Sequence, residues 1–182
     1  MALAIVVEDG TIVAGANSYI SVAFATAYLD VWYPSSAWDA AVTAADGTAE
    51  AALYAAAFAL DRLYGRRYLS VLPPASTQTM LWPRYTFMDN TYRLIPSAKI
   101  PQPIKDAQCE LAMLYLNDVD LFPNESDNRL FKNIALDVGV KINKTYWAKP
   151  TDSERYDGFR KVELILWPLI QSEDNTGARL SL

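Results

Sequence analysis

Six prolines fall between Pro73 and Pro103, and no long regular element can cross that stretch. Proline has no backbone N–H to donate and its ring clashes with the preceding turn of a helix. Residues Leu69 to Gln102 are therefore expected to be irregular. The same stretch holds Trp82, Tyr85, Phe87 and Tyr92, so an ordered, packed excursion is expected rather than a floppy linker.

Helical periodicity lies on either side of it. Ser21 has the chemistry of an N-cap, and Val22, Ala25, Leu29 and Trp32 follow on one face. Pro34 should end that helix. Ser35-Ser36 can cap a short helix from Ala37 to about Ala44. Thr48 is the expected N-cap of a third helix from about Ala49 to Tyr64, with Leu53, Ala56, Leu60 and Leu63 inward. Gly65 is expected at its C′ position, with Arg66-Arg67 where cations favour a helix end. A fourth helix starts near Pro101 or Pro103, since proline suits a first turn. It carries Ile104, Ala107, Leu111 and Leu114 inward and ends near Asn117 to Asp120. In the last helix Phe159, Val162, Leu166 and Leu169 share a face, and Pro168 should kink or end it.

Two segments suggest strands. Asp9-Gly10 between Leu3–Val7 and Thr11–Val13 is a hairpin signal. From Asn133 to Trp147 the period changes to two, with Ile134, Leu136, Val138, Val140 and Ile142 alternating. The expected fold is mainly α: a small bundle of three to four principal helices, a β-hairpin near 133–147, and extended N- and C-terminal arms. Residues 1–170 are expected to form one domain and 171–182 an exposed tail.

The chain has no histidine and one cysteine. That removes the commonest general base, the serine–histidine and cysteine–histidine nucleophile systems, imidazole metal sites and any internal disulfide. Cys109 reads as a buried, inert thiol. No Gly-rich phosphate loop occurs. No catalytic, cofactor-binding or metal-ligating residue is therefore assigned. The acidic residues Asp118, Asp120, Glu125 and Asp127 lack the glycine and terminal glutamate of a calcium loop and read as a solvated loop. The start lacks the basic region of a signal peptide, and no apolar run reaches bilayer length. A soluble protein made in the cytoplasm, without membrane contact, is expected.

The net charge of −5 counts against a protein whose main task is to grip phosphates. One local exception stands out. Arg62, Arg66 and Arg67 interleave with Tyr64 and Tyr68, a pattern that suits a single-strand binding platform. The simpler reading is a set of helix-end cations or an intersubunit contact. In Trp82-Pro83-Arg84 the tryptophan is expected to plug the core edge, with the arginine paired to a carboxylate.

Taken in order, several segments resemble a family of tailed-phage proteins often labelled DnaT-like single-stranded-DNA-binding proteins. They are Val7-Glu8-Asp9-Gly10-Thr11, Gly15 to Ser21, Asp61 to Arg67, Leu81-Trp82-Pro83-Arg84, Ile95-Pro96 and Ile100-Pro101, then the helix Ile104 to Leu116, Val138-Gly139-Val140 and Leu166 to Ile170. Tyr85, where a small residue is expected, and the alanine-rich Ala37 to Ala49 depart from the pattern. Members resemble head–tail connector or adaptor proteins. The resemblance implies a structural subunit of the virion neck, forming a ring, twelvefold by analogy, beneath the portal. Its partners would be itself, the portal, and tail or neck proteins, with DNA only as the passing genome. By the same analogy Arg179, Leu180 and Leu182 in the tail are expected portal contacts; Arg62, Arg66 and Arg67, read from their own pattern, are expected to face a neighbour or DNA. The family label implies the alternative, a DNA-binding replication accessory.

Overall fold

The computed structural model describes residues 4–44, 46–73, 77–122 and 159–171. The expected hairpin of Asn133 to Trp147 and the tail beyond Gln171, with Arg179, Leu180 and Leu182, lie outside the described residues. Within them the fold is mainly α, as expected. Its helices are α1 (Val22–Trp32), α2 (Ala37–Ala44), α3 (Thr48–Tyr64), α4 (Gln102–Leu116) and α5 (Arg160–Leu166), the last continuing into a 3-10 turn, Trp167–Leu169.

α4 is the centre. α3 packs along it most extensively, α5 lies on another side, and α1 and α2 close the remainder. The facing surfaces are built from small and large residues together. Ala49, Ala52, Ala56, Ala57 and Ala59 of α3 are buried around Leu53 and Leu60. The alanines let the helix backbones approach closely, while each buried leucine contributes roughly 2 kcal/mol of apolar burial. Of the expected stripe on α4, Ile104, Ala107 and Leu111 are buried and Leu114 is half-buried, but Gln108, Cys109 and Glu110 are buried too. Helices on several sides of α4 enclose residues that a one-sided stripe would leave in solvent.

Local chemistry sets the helix ends. Ser21 Oγ accepts from the Phe24 amide at 3.2 Å, as its cap role requires. At α3 the cap differs from expectation. Thr48 is already helical, and Asp46 accepts from the Thr48 amide at 2.9 Å and its hydroxyl at 2.6 Å. The N-cap position falls on Gly47, which has no side chain to cap with, and the Asp46 carboxylate takes the first helical amide instead. Gly65 also differs, because its φ of −56° is right-handed. Its need is spatial: a Cβ there would lie 2.3 Å from the Asp61 carbonyl and 2.4 Å from Leu81 Cδ1. Trp32 is the one member of its predicted stripe on the outside, 59% exposed. Pro101 is the N-cap of α4 and Pro103 lies in its first turn. Pro168 ends α5 as a regular α-helix and leaves the 3-10 turn.

The N-terminal Asp-Gly signal does not make a hairpin. Instead, Val7 bridges Ser18 in parallel. The buried Glu8 carboxylate takes over the turn, accepting from the amides of Gly10 at 2.9 Å, Ile12 at 3.0 Å and Val13 at 2.8 Å. Three amides satisfied by one side chain outcompete a two-strand ladder that would stand alone. Gly10 does adopt the expected positive φ, +108°.

The proline-rich stretch contains a short antiparallel hairpin, β1 (Phe87–Met88) with β2 (Leu94–Ile95), in register Phe87↔Ile95 and Met88↔Leu94. Asp89 holds its turn by accepting from the Thr91 and Arg93 amides at 2.8 and 2.9 Å. Asn90 fastens it to the end of the last helix through the carbonyls of Trp167 at 2.7 Å and Ile170 at 2.9 Å. Nearby, the Leu69 amide donates to Leu169 and the Gln171 amide to Arg67. The described part of the excursion is therefore packed, as expected, and ties α5 and its 3-10 turn to the end of α3.

Candidate interaction surface

The arginine and tyrosine cluster at the end of α3 does not form one platform. Tyr64 and Tyr68 are buried, 1% and 4% exposed, so neither offers a ring face to a base. Arg67 is half-buried, ion-paired with Glu163 of α5 at 2.7 Å and stacked over Tyr64. It joins α3 to the last helix. Arg66 is exposed. Arg62 is exposed too, with its guanidinium 5.1 Å from the centre of the Phe58 ring. Of the three, Arg62 and Arg66 stay at the surface, and Arg62 belongs to a different cluster from the one its sequence neighbours suggest.

That cluster is aromatic. Tyr54, Phe58 and Arg62 stand at intervals of four along the outer face of α3. Tyr115 of α4 lies beside them with Val119 and Phe122 from the turn that follows. All five apolar members are between 38% and 47% exposed. Phe58 and Phe122 meet edge to face, with centroids 5.8 Å apart. Together with Ala55, Asp120 and Leu121 these residues line a shallow depression of about 310 Å³. Tyr54, Phe58 and Arg62 also border a second groove that runs over Asp61 to Thr79 and Met80. The two make one continuous surface. Asp118 and Asp120 stand exposed at its margin, and Asp120 accepts from the Phe122 amide at 2.8 Å.

Sequence periodicity missed this surface because Tyr54 and Phe58 belong to α3, whose other face supplies the expected stripe. Large aromatics off the stripe, four residues apart and followed by an arginine, were the available signal.

Behind the surface Asp61 and Arg84 have polar partners. Asp61 accepts from the Tyr19 hydroxyl at 2.6 Å and the Leu81 amide at 3.0 Å. Burial pushes its carboxyl up to about 6, against the pull of those hydrogen bonds and of Arg84 and Arg62. Trp82 is buried as expected. Arg84, however, pairs with carbonyls rather than with a carboxylate: Leu81 at 3.0 Å, Gly65 at 3.5 Å and Ser70. It also stacks over Tyr68 and Trp82. The bend of the chain brings three carbonyl oxygens around the guanidinium, whose fork of donors suits them. Cys109 is buried, and burial pushes its thiol up, away from the reactive thiolate.

Among the described residues, no group of three or more acidic or thiol side chains could hold a metal ion. No described helix is long and apolar enough to cross a membrane. The described residues form a helical fold with an exposed aromatic surface. A family model described as "Putative DnaT-like ssDNA binding protein" matches residues 3–181, and the chain belongs to that family. No curated protein and no solved structure matches it.

Proposed function

We propose that the chain is a non-catalytic structural subunit of a tailed-phage neck, a head–tail adaptor that assembles into a ring between portal and tail. The observation that carries this reading is the aromatic surface of Tyr54, Phe58, Tyr115 and Phe122. Contiguous exposed apolar area of this kind marks a binding face more often than a bare surface. Further apolar side chains are exposed elsewhere, at Val31 and Trp32 on α1 and at Met88, Tyr92 and Leu94 on the hairpin. A ring subunit needs several faces, because it meets identical neighbours through two different surfaces and holds other proteins above and below. The test is co-purification of the full chain with portal-containing heads. Stoichiometric retention supports the adaptor. Heads that fill and join tails without the chain overturn it.

The family description favours a second reading, single-stranded DNA binding. Tyr54 and Phe58 would stack bases and Arg62 would meet a phosphate. The net charge of −5 weighs against tight binding, since affinity for a polyanion grows with the cations brought to it. Fluorescence anisotropy with a labelled oligothymidylate decides this. Tight binding that falls steeply with salt and is lost in Arg62→Glu establishes the second reading. Absence of binding at near-physiological salt leaves the adaptor.

A further inference from the structure

The aromatic surface and the sequence that follows it are complementary. The described fold stops at Phe122, itself part of the surface, and resumes at Phe159, which is buried in the core. Between them the sequence Arg129 to Lys149 carries five cations, Arg129, Lys132, Lys141, Lys144 and Lys149, against one carboxylate, Asp137. Within it Ile134, Leu136, Val138, Val140 and Ile142 alternate with other residues. The surface has the opposite character. Among the described residues it is apolar with Asp118 and Asp120 exposed at its edge, and Arg62 is the one cation that lines it.

We propose that residues 134–142 of one copy of this chain dock on the Tyr54–Phe58–Tyr115–Phe122 surface of a second copy. The docking is head to tail, because the two partners are different parts of the same chain. A contact of that kind is the one that closes into rings. Reach permits it. An extended chain covers roughly 3.3–3.6 Å per residue, so the eleven residues from Pro123 to Asn133 span at most about 40 Å. A chain of this length has a radius of gyration of about 16 Å when compact. Residues 134–142 hold one charge of each sign, Asp137 and Lys141, and supply the apolar area. The flanking Arg129, Lys132, Lys144 and Lys149 are the cations that Asp118 and Asp120 attract, which fixes the sense of the approach. The proposal rests on the ring-adaptor reading and names the contact that builds the ring.

Single-cysteine chains test it on the isolated protein, without portal or DNA. In a Cys109→Ala background, Tyr115→Cys is placed in one preparation and Val138→Cys in another carrying a different tag. The two are mixed at high concentration and oxidised. A disulfide-linked heterodimer joining the two tags is expected, reduced severalfold by Phe58→Asp and by high salt. Circular dichroism verifies that each variant keeps its helices. Leu136→Cys replaces Val138→Cys if that chain does not fold. The proposal is overturned by three results: predominant homodimers of the Tyr115→Cys chain, no cross-link at all, or closure only within one chain when both substitutions are placed together. Because the readout needs no portal, a failure here leaves the test of the adaptor reading intact.

Discussion

Gln108 Nε2 donates to Ser18 Oγ at 2.7 Å across 90 residues of sequence, in the middle of the apolar core. The same amide donates to the Leu53 carbonyl at 2.9 Å, and its oxygen accepts from the Tyr19 amide at 2.9 Å. One polar side chain on α4 therefore fixes both α3 and the segment entering α1. Gln108→Leu keeps the volume but leaves the buried Tyr19 amide unpaired, while the Leu53 carbonyl, in the middle of α3, loses only its second donor. A buried unpaired group costs about 1–3 kcal/mol. A loss of about 1–3 kcal/mol is expected in urea unfolding. A loss below about 0.5 kcal/mol would show that the network is replaceable, a magnitude typical of surface changes.

Glu110 makes a second polar knot. Its carboxylate accepts from the hydroxyls of Tyr28 at 2.9 Å and Tyr33 at 2.6 Å, and Lys161 of α5 reaches it at 2.7 Å. Burial draws the lysine ammonium down, yet Glu110 and Tyr33 hold it above the usual lysine range. The two partners differ in environment: the glutamate side chain is 4% exposed and the lysine 48%. Lys161→Met should therefore cost little, about 0.5–1 kcal/mol, because water screens a half-exposed ion pair and two tyrosines still serve the carboxylate. Glu110→Ala removes the acceptor shared by three donors and should cost about 2–3 kcal/mol. Equal losses in thermal unfolding would show that the ion pair, not the buried acceptor, holds α5.

These knots explain how far the sequence could be read. Period-3.6 stripes located the helices closely, and Ser21 and Pro101 marked true ends, because those signals depend on a few adjacent residues. Gln108 and Glu110 gave no such signal. Their partners Ser18, Tyr19, Tyr28 and Lys161 lie far away in sequence, so no adjacent residue marks the two polar side chains as buried. Glu8 was invisible for a related reason. Asp9-Gly10 has the chemistry of a hairpin turn, and only the placement of the Glu8 carboxylate inside the turn selects the alternative. At the candidate surface, the arginine cluster was legible as composition but not as geometry, since the end of α3 turns Tyr64 and Tyr68 inward and sends Arg67 to Glu163.

Gly65 separates two explanations for one residue. A left-handed C′ glycine tolerates asparagine and loses modestly on substitution by alanine. Here φ is −56°, which any residue adopts, and the constraint is the space between the Asp61 carbonyl and Leu81. Gly65→Ala and Gly65→Asn should both destabilise, by about 1–3 kcal/mol as in overpacked cores, with asparagine the worse. Leu81→Ala should restore part of the loss in the alanine variant by removing the Cδ1 that the new methyl meets. A stable Gly65→Asn chain would mean that the backbone is left-handed after all.

Asp61 should give the fold a pH dependence opposite to that of most carboxylates. Its folded value, about 6, lies above the ordinary carboxylate value of about 4. Between those values the folded chain binds the proton and the unfolded chain has lost it. Stability then falls as pH rises through this window, since the slope follows protons bound by the unfolded state minus those bound by the folded state. Above the window the cost is complete, and below it Asp61 is neutral in both states. Asp61→Asn cannot titrate and keeps an oxygen for the Tyr19 hydroxyl or the Leu81 amide. Other carboxylates contribute equally to both chains, so the difference between them isolates this group. The Tm of Asp61→Asn minus that of the parent should rise as pH goes from about 4 to about 7, with most of the change centred between the two values. A difference that is flat, or that falls with pH, would mean that the hydrogen bonds from Tyr19 and Leu81 outweigh burial and hold the carboxylate charged throughout.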